Sequence, residues 1–116
     1  MPPTTTYRQG DIVLVSFPFT DLTSAKRRPA LVISPDSLNQ INQDLILVAI
    51  TSQVTADEYA LRLEESDFLE GKLPKPSMIK LTKIFTIHST LVAKQLCRLK
   101  PEKVAGVLDR IHKLFS

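Results

Sequence analysis

The stretch Leu45-Ile46-Leu47-Val48-Ala49-Ile50-Thr51, LILVAIT, is apolar at six consecutive positions and then closes on a hydroxyl. Its length suits a strand rather than a helix, and its near-continuous apolar character is that of a strand buried on both faces. It is therefore expected at the centre of a sheet. Working outward from it, Gln9-Gly10-Asp11 forms a turn into Ile12 to Phe17 (IVLVSF), a β-branched run expected as the first strand. Pro18 to Lys26 collects Pro, Asp, Thr and Ser, which set turns, so a loop is expected there. Pro29 cannot donate to a ladder, so it is expected at the first residue of a strand or on an edge, with Ala30 to Ser34 as the strand body and Pro35-Asp36-Ser37 closing it.

Downstream, Tyr59 to Leu63 and Ser77 to Phe85 alternate well enough for two more strands, with a turn at Thr86-Ile87-His88-Ser89. From Val104 to Phe115 the apolar residues Val104, Val107, Leu108, Ile111, Leu114 and Phe115 recur at helical spacing, and Pro101-Glu102 suits a first helical turn. No βαβ rhythm or repeat is visible. The expected fold is mainly β with a C-terminal helix, a small curled sheet or barrel of mostly antiparallel strands capped by that helix. At 116 residues the chain is expected to form one domain, 1–116.

The formal net charge of +3 favours acidic partners only weakly, but its distribution is uneven. Asp57, Glu58, Glu64, Glu65, Asp67 and Glu70 face one base, Arg62, whereas from Gly71 onward the bases far outnumber Glu102 and Asp109. The chain thus has an acidic middle and a basic last third. Cys97 is the lone cysteine, which excludes an intrachain disulfide and a thiolate metal cluster. The N-terminal MPPTTTYRQG lacks an apolar signal region, and the longest apolar run is too short to span a bilayer. A cytoplasmic, soluble protein is expected.

Lys26-Arg27-Arg28-Pro29 sets three cations against a buried run. The residue before a proline is pushed to extended backbone angles, so Arg28 leaves a stiff piece of chain. A guanidinium mounted this way can hold two phosphate oxygens, while Lys26 on the loop suits a diffuse electrostatic role. The competing reading is a solvated loop charge run. Thr51-Ser52-Gln53 leaves the most hydrophobic strand, where hydroxyl and amide groups can point into a cleft or satisfy their own backbone. His88 and His112 are the two imidazoles; His88 in its turn is a candidate acid or base, and a lone turn histidine is also commonly inert. No pair of His, Asp and Glu has a metal-ligand spacing, and three glycines make no phosphate-cradling loop, so neither metal nor cofactor is expected.

The succession Gly10-Asp11-Ile12-Val13-Leu14-Val15, Phe17-Pro18-Phe19-Thr20-Asp21, Lys26-Arg27-Arg28-Pro29-Ala30-Leu31-Val32-Ile33-Ser34 and Ala49-Ile50-Thr51-Ser52-Gln53 resembles the MazF/PemK family of toxin endoribonucleases. Ile84-Phe85-Thr86-Ile87-His88 and the closing helix are similar to the family's later strand and C-terminal helix. The resemblance implies an SH3-like barrel (MazF/PemK/CcdB-like) that homodimerises, cuts single-stranded RNA at short sequences without a metal, and is held in check by an antitoxin with an acidic disordered tail. It implies that Arg28 and Thr51 are the catalytic pair. The RNA path would then be lined by Lys26, Arg27, Ser52, Gln53, Lys80 and Thr82, with Phe19 as a stacking surface.

The chain also departs from the family pattern. The segment Thr20 to Arg27 lacks the Gly and Glu many relatives carry there, Lys80 to Thr82 holds no aspartate, and His88 stands where an aspartate often follows Thr-Ile. A non-enzymatic alternative is a barrel of the gyrase-poison type, or a decayed toxin that keeps only antitoxin binding.

Overall fold

The computed structural model describes residues 6–16 and 27–116. Leu45 to Thr51 is central, as its burial pattern required. It forms β3 (Asp44–Thr51), flanked on one side by β2 (Arg27–Val32) and β1 (Asp11–Ser16). On its other side lie β6 (Ser77–His88) and β4 (Ala60–Leu63), while β7 (Val92–Leu99) and β5 (Phe68–Glu70) continue the sheet beyond β1. The order is β4-β6-β3-β2-β1-β7-β5, with every neighbouring pair antiparallel.

The two outermost strands, β4 and β5, are nearly consecutive in the chain, joined by Glu64 and a 3-10 turn at Glu65–Asp67. Four residues reach at most about 14 Å. The edges of the sheet must therefore approach each other, and the sheet curls into a half-barrel. Leu63 from one edge and Phe68 from the other pack in the same core, with Ile12, Leu31, Val48, Ile79 and Leu99. The α2 helix (Pro101–Leu114) closes that core with Val104 and Val107, and Leu108 and Ile111 pack against it. Val13, Val15, Ala30, Val32, Leu45, Leu47 and Ile87 line a second core on the opposite face of the sheet. That two-sided burial is why β3 shows no alternation. Among the described residues no helix is long and apolar enough to cross a membrane.

Four local features differ from the sequence expectations. Pro29 is the third residue of an interior strand, paired with Leu14 of β1. The β2–β3 ladder begins only at Ala30, opposite Ala49, so no strand bond is lost on that side at Pro29. Second, Pro35 precedes a short helix, α1 (Asp36–Ile41), whose buried Asn39 bonds the Ser34 and Tyr7 carbonyls. Third, β6 runs through Thr86, Ile87 and His88 rather than turning there, because these residues pair with Ile46, Leu45 and Asp44. Finally, β7 and the three-residue β5 had no sequence signal: Ala93, Lys94 and Gln95 are exposed, so β7 shows no apolar alternation at its start.

The Asp11 carboxylate, 4% accessible, ties the start of β1 to β7. It accepts from Arg98 Nε at 2.7 Å, Gln95 Nε2 at 3.0 Å and the Arg8 N–H at 2.9 Å. The acidic middle of the chain folds against the basic last third: Lys80 meets Asp57 and Lys103 meets Asp67, both at 3.3 Å, and Arg98 lies 3.9 Å from Glu70.

Candidate functional site

In the β2–β3 ladder Ala30 lies opposite Ala49, Leu31 opposite Val48 and Val32 opposite Leu47. Continuing that register past the end of the ladder sets Pro29 opposite Ile50 and Arg28 opposite Thr51. Here the strands part. Beyond Ala49, β3 stays with β6, Ile50 pairing with Ile79 and Thr51 with Met78. Arg27 to Pro29 stays with β1 through Ser16, Val15 and Leu14. A cavity of about 540 Å³ opens between them, lined by Arg27, Arg28, Pro29, Thr51, Ser52 and Gln53, with Lys75 and Ser77 on its far wall.

The cavity is cationic. The acidic middle engages Lys80, Arg98 and Lys103, whereas among the described residues no ion pair engages the cavity's Arg27, Arg28 or Lys75. Arg27 and Arg28 are exposed, yet their backbones are fixed in the β1–β2 ladder. Both residues line the opening from a rigid strand, on which consecutive side chains leave by opposite faces. Thr51 Oγ1 accepts from the Gln53 N–H at 3.1 Å. That bond turns the chain out of β3 and orients the oxygen, leaving the hydroxyl proton to be donated elsewhere. Thr51 thus satisfies a backbone group at the strand end and, with Ser52 and Gln53, lines the cavity.

Five of the residues singled out in the sequence meet here: Arg27, Arg28, Thr51, Ser52 and Gln53. Lys26 and Phe19 lie outside the described residues. Lys80 and Thr82 do not line the cavity. Lys80 is held by Asp57 Oδ2, whose carboxyl lies below its usual range chiefly through the Tyr59 N–H and then through Lys80. Thr82 is exposed where β6 slips its register against β3. His88 closes β6 opposite Asp44, at the other end of β3 from Thr51, about 20 Å along the strand. Its ring nitrogens lie 2.8 Å from Thr90 Oγ1 and 2.7 Å from Gln43 Oε1, a local structural role. The Cys97 thiol is buried and pushed up to about 11 by desolvation, with Asp11's charge adding to it, so no thiolate nucleophile forms near neutral pH. Among the described residues no three His, Cys, Asp or Glu side chains group as metal ligands.

Sequence reasoning missed Lys75 and Ser77. Lys75 belongs to the segment Gly71-Lys72-Leu73-Pro74-Lys75-Pro76 that forms part of the cavity wall, and Ser77, the first residue of β6, donates through Oγ to the Lys75 carbonyl at 2.9 Å. The prolines were a signal of rigid, non-ladder chain, but nothing in the local pattern says which strand ends the arch would face.

The profile of the family described as PemK-like, MazF-like toxin of type II toxin-antitoxin system matches residues 8–115. No curated protein matches the chain by sequence. Solved structures share the fold. The Mycobacterium tuberculosis toxin MazF-mt6 superposes with a TM-score of 0.72 at 16% identity, over 90% of this chain and 95% of that one. A MazE-MazF structure from Deinococcus radiodurans gives 0.76 at 19% identity, over 97% and 98% of the two chains. An endoribonuclease in complex with its cognate antitoxin, from Mycobacterial species, gives 0.76 at 14% identity, over 94% of each.

Proposed function

We propose that this chain, which belongs to the PemK-like, MazF-like toxins of type II toxin-antitoxin systems, is an endoribonuclease that cuts single-stranded RNA in the cavity between β2 and β3. The observation that supports the reading is that a backbone-anchored Arg28, without an ion pair among the described residues, and Thr51 line one cavity where the β2–β3 ladder ends.

The reaction uses a nucleophile that RNA already contains. The 2′-oxygen attacks the adjacent phosphorus as its proton departs, the bond from phosphorus to the 5′-oxygen breaks, and that oxygen takes up a proton. The products are a cyclic phosphate and a free 5′-OH. Negative charge builds on the non-bridging phosphate oxygens at the five-coordinate stage, and the Arg28 fork can hold two of them. The Thr51 hydroxyl proton donates to an oxygen beside the fork. Arg27, Ser52, Gln53 and Lys75 hold the strand on either side, and among the described residues no carboxylate competes for these cations with the RNA backbone.

The same reading makes the chain a cytoplasmic homodimer inhibited by a cognate antitoxin, whose acidic disordered tail lies over the cationic cavity with carboxylates in place of RNA phosphates. The test is an end-mapped cleavage assay on a defined RNA with chelator present. Cyclic phosphate and 5′-OH ends from the wild type, and none from Arg28→Ala, are the expected result; equal cutting by the variant overturns the assignment.

A further inference from the structure

A second cavity, of about 310 Å³, lies beside the first, and the two share Leu73, Pro74, Lys75 and Ser77 as a common wall. We infer that this second cavity is a nucleotide subsite, which receives the base adjoining the scissile phosphate and selects a base rich in amino and imino donors, guanine foremost. The inference rests on the RNA-cleaving reading above and adds a specificity determinant to it.

The wall between the cavities is rigid. Gly71 has φ +68°, and a Cβ there would meet Cys97 Cβ at 3.0 Å and the Leu96 carbonyl at 3.2 Å, so the start of the arch lies tightly on β7. Leu73 packs into the barrel core, and Ser77 fixes the Lys75 carbonyl. Pro74 and Pro76 limit what remains. A site on so fixed a wall needs little ordering when it binds.

The cavity's chemistry is divided. Lys72 and Lys75 stand on the arch without ion pairs among the described residues, suited to phosphates. Glu64 and Glu65 line it too and are exposed, Glu64 lying 3.8 Å from Arg62 and accepting from the Asp67 N–H in a capping box, and Glu65 without an ion pair among the described residues. Asp67 is not available for this role: it accepts from the Glu64 N–H and pairs with Lys103. The half-buried Phe68 also lines the cavity. Carboxylates repel the RNA backbone, so a bound nucleotide must turn its phosphate toward the lysines and its base edge toward the glutamates, with the base against Phe68. Guanine offers N1–H and N2–H₂ side by side, a fork that one carboxylate can accept, whereas uracil presents two carbonyl oxygens that it repels.

The test uses the whole protein and an RNA oligonucleotide made uncleavable by 2′-deoxy substitution at the cutting position, with backbone amides followed by NMR. Lys75 and Ser77 belong to both cavities, so Glu64, Glu65, Phe68 and Lys72 are the diagnostic amides. Shifts there, together with shifts at Arg28 and Thr51, are expected. Shifts confined to Arg27, Arg28 and Thr51–Gln53 overturn the subsite and leave the RNA reading intact; shifts at neither overturn both. In sequencing of cleavage ends, Glu65→Gln and Glu64→Gln together should lower the preference for guanine over uracil beside the cut by about tenfold. An unchanged preference also overturns the subsite.

Discussion

Arg28 and Arg98 leave the same sheet on strands separated only by β1, yet they meet opposite electrostatic conditions. Arg98 is 21% accessible and bonded at 2.7 Å to the nearly buried Asp11, whose hydrogen bond holds the guanidinium's pKa above its ordinary value. Its charge is spent inside the fold, tying β1 to β7. Arg28 is exposed and without a carboxylate partner among the described residues, at the point where β2 and β3 separate. The difference lies in the partner strand rather than in the residue. Each arginine is anchored by a ladder, but Arg98 faces Asp11 across its pair, whereas Arg28 is paired with Val15 on one side and open on the other. An ion pair that is already made contributes stability; one left unmade on a rigid strand is available to an anion from outside.

The most severe way to test this contrast is at Arg28. Arg28→Ala should lower RNA cleavage by about 10²–10³-fold, the usual effect of removing one preorganised donor to developing charge. Its melting temperature should stay near the wild-type value, since an exposed residue without partners changes stability by about 0.5 kcal/mol or less. A variant that melts early would show Arg28 to be structural after all. Arg98→Ala should do the reverse. It leaves the Asp11 charge with only the Gln95 amide and the Arg8 N–H. The loss should be about 2–3 kcal/mol, less than the 3–5 typical of an orphaned buried charge because those two bonds persist. Denaturant titration measures this loss, and cleavage per folded molecule should be retained.

A smaller effect is expected at Thr51. Thr51→Val removes the hydroxyl donor and should slow cleavage about tenfold or somewhat more, as for a hydrogen bond to a charged group. Thr51→Ser keeps the donor and should stay near the wild type; equal rates for Val and Ser would remove the hydroxyl from the chemistry. The smallest effect belongs to Asp57, which ties Lys80 away from the cavity. Its folded-state carboxyl lies below the ordinary 3.8, so its contribution is present above that value and disappears as pH falls through the lowered one. Melting temperatures of the wild type and Asp57→Asn should therefore differ near neutral pH and converge in acid. A gap that does not narrow would show that the ionised form is not what stabilises.

The legible parts of the fold were those in which one segment carries its own signal. LILVAIT announced a strand buried on both faces, and the 3.6-residue spacing after Pro101 announced a helix with an apolar stripe. β7 was not legible, because three of its first four residues face solvent, and β5 is only three residues long. Lys80 and His88 show the same limit at the level of the site. Each is a residue type that RNA chemistry uses, but Asp57 takes one and Gln43 with Thr90 takes the other, partners that lie 23 and 45 positions away for Asp57 and Gln43.

The sequence by itself determined the stiffness of Arg28, through the proline that follows it, and the burial of the strand that ends at Thr51, because both follow from neighbours in the chain. The tertiary structure decided that these two residues line one opening. That required the register of β2 on β3, the early end of their ladder and the curl that brings the Gly71–Pro76 arch alongside. It also decided which cations remain free, since charge pairing depends on distance in space, and the acidic middle of the chain reaches Lys80, Arg98 and Lys103 but not Arg28.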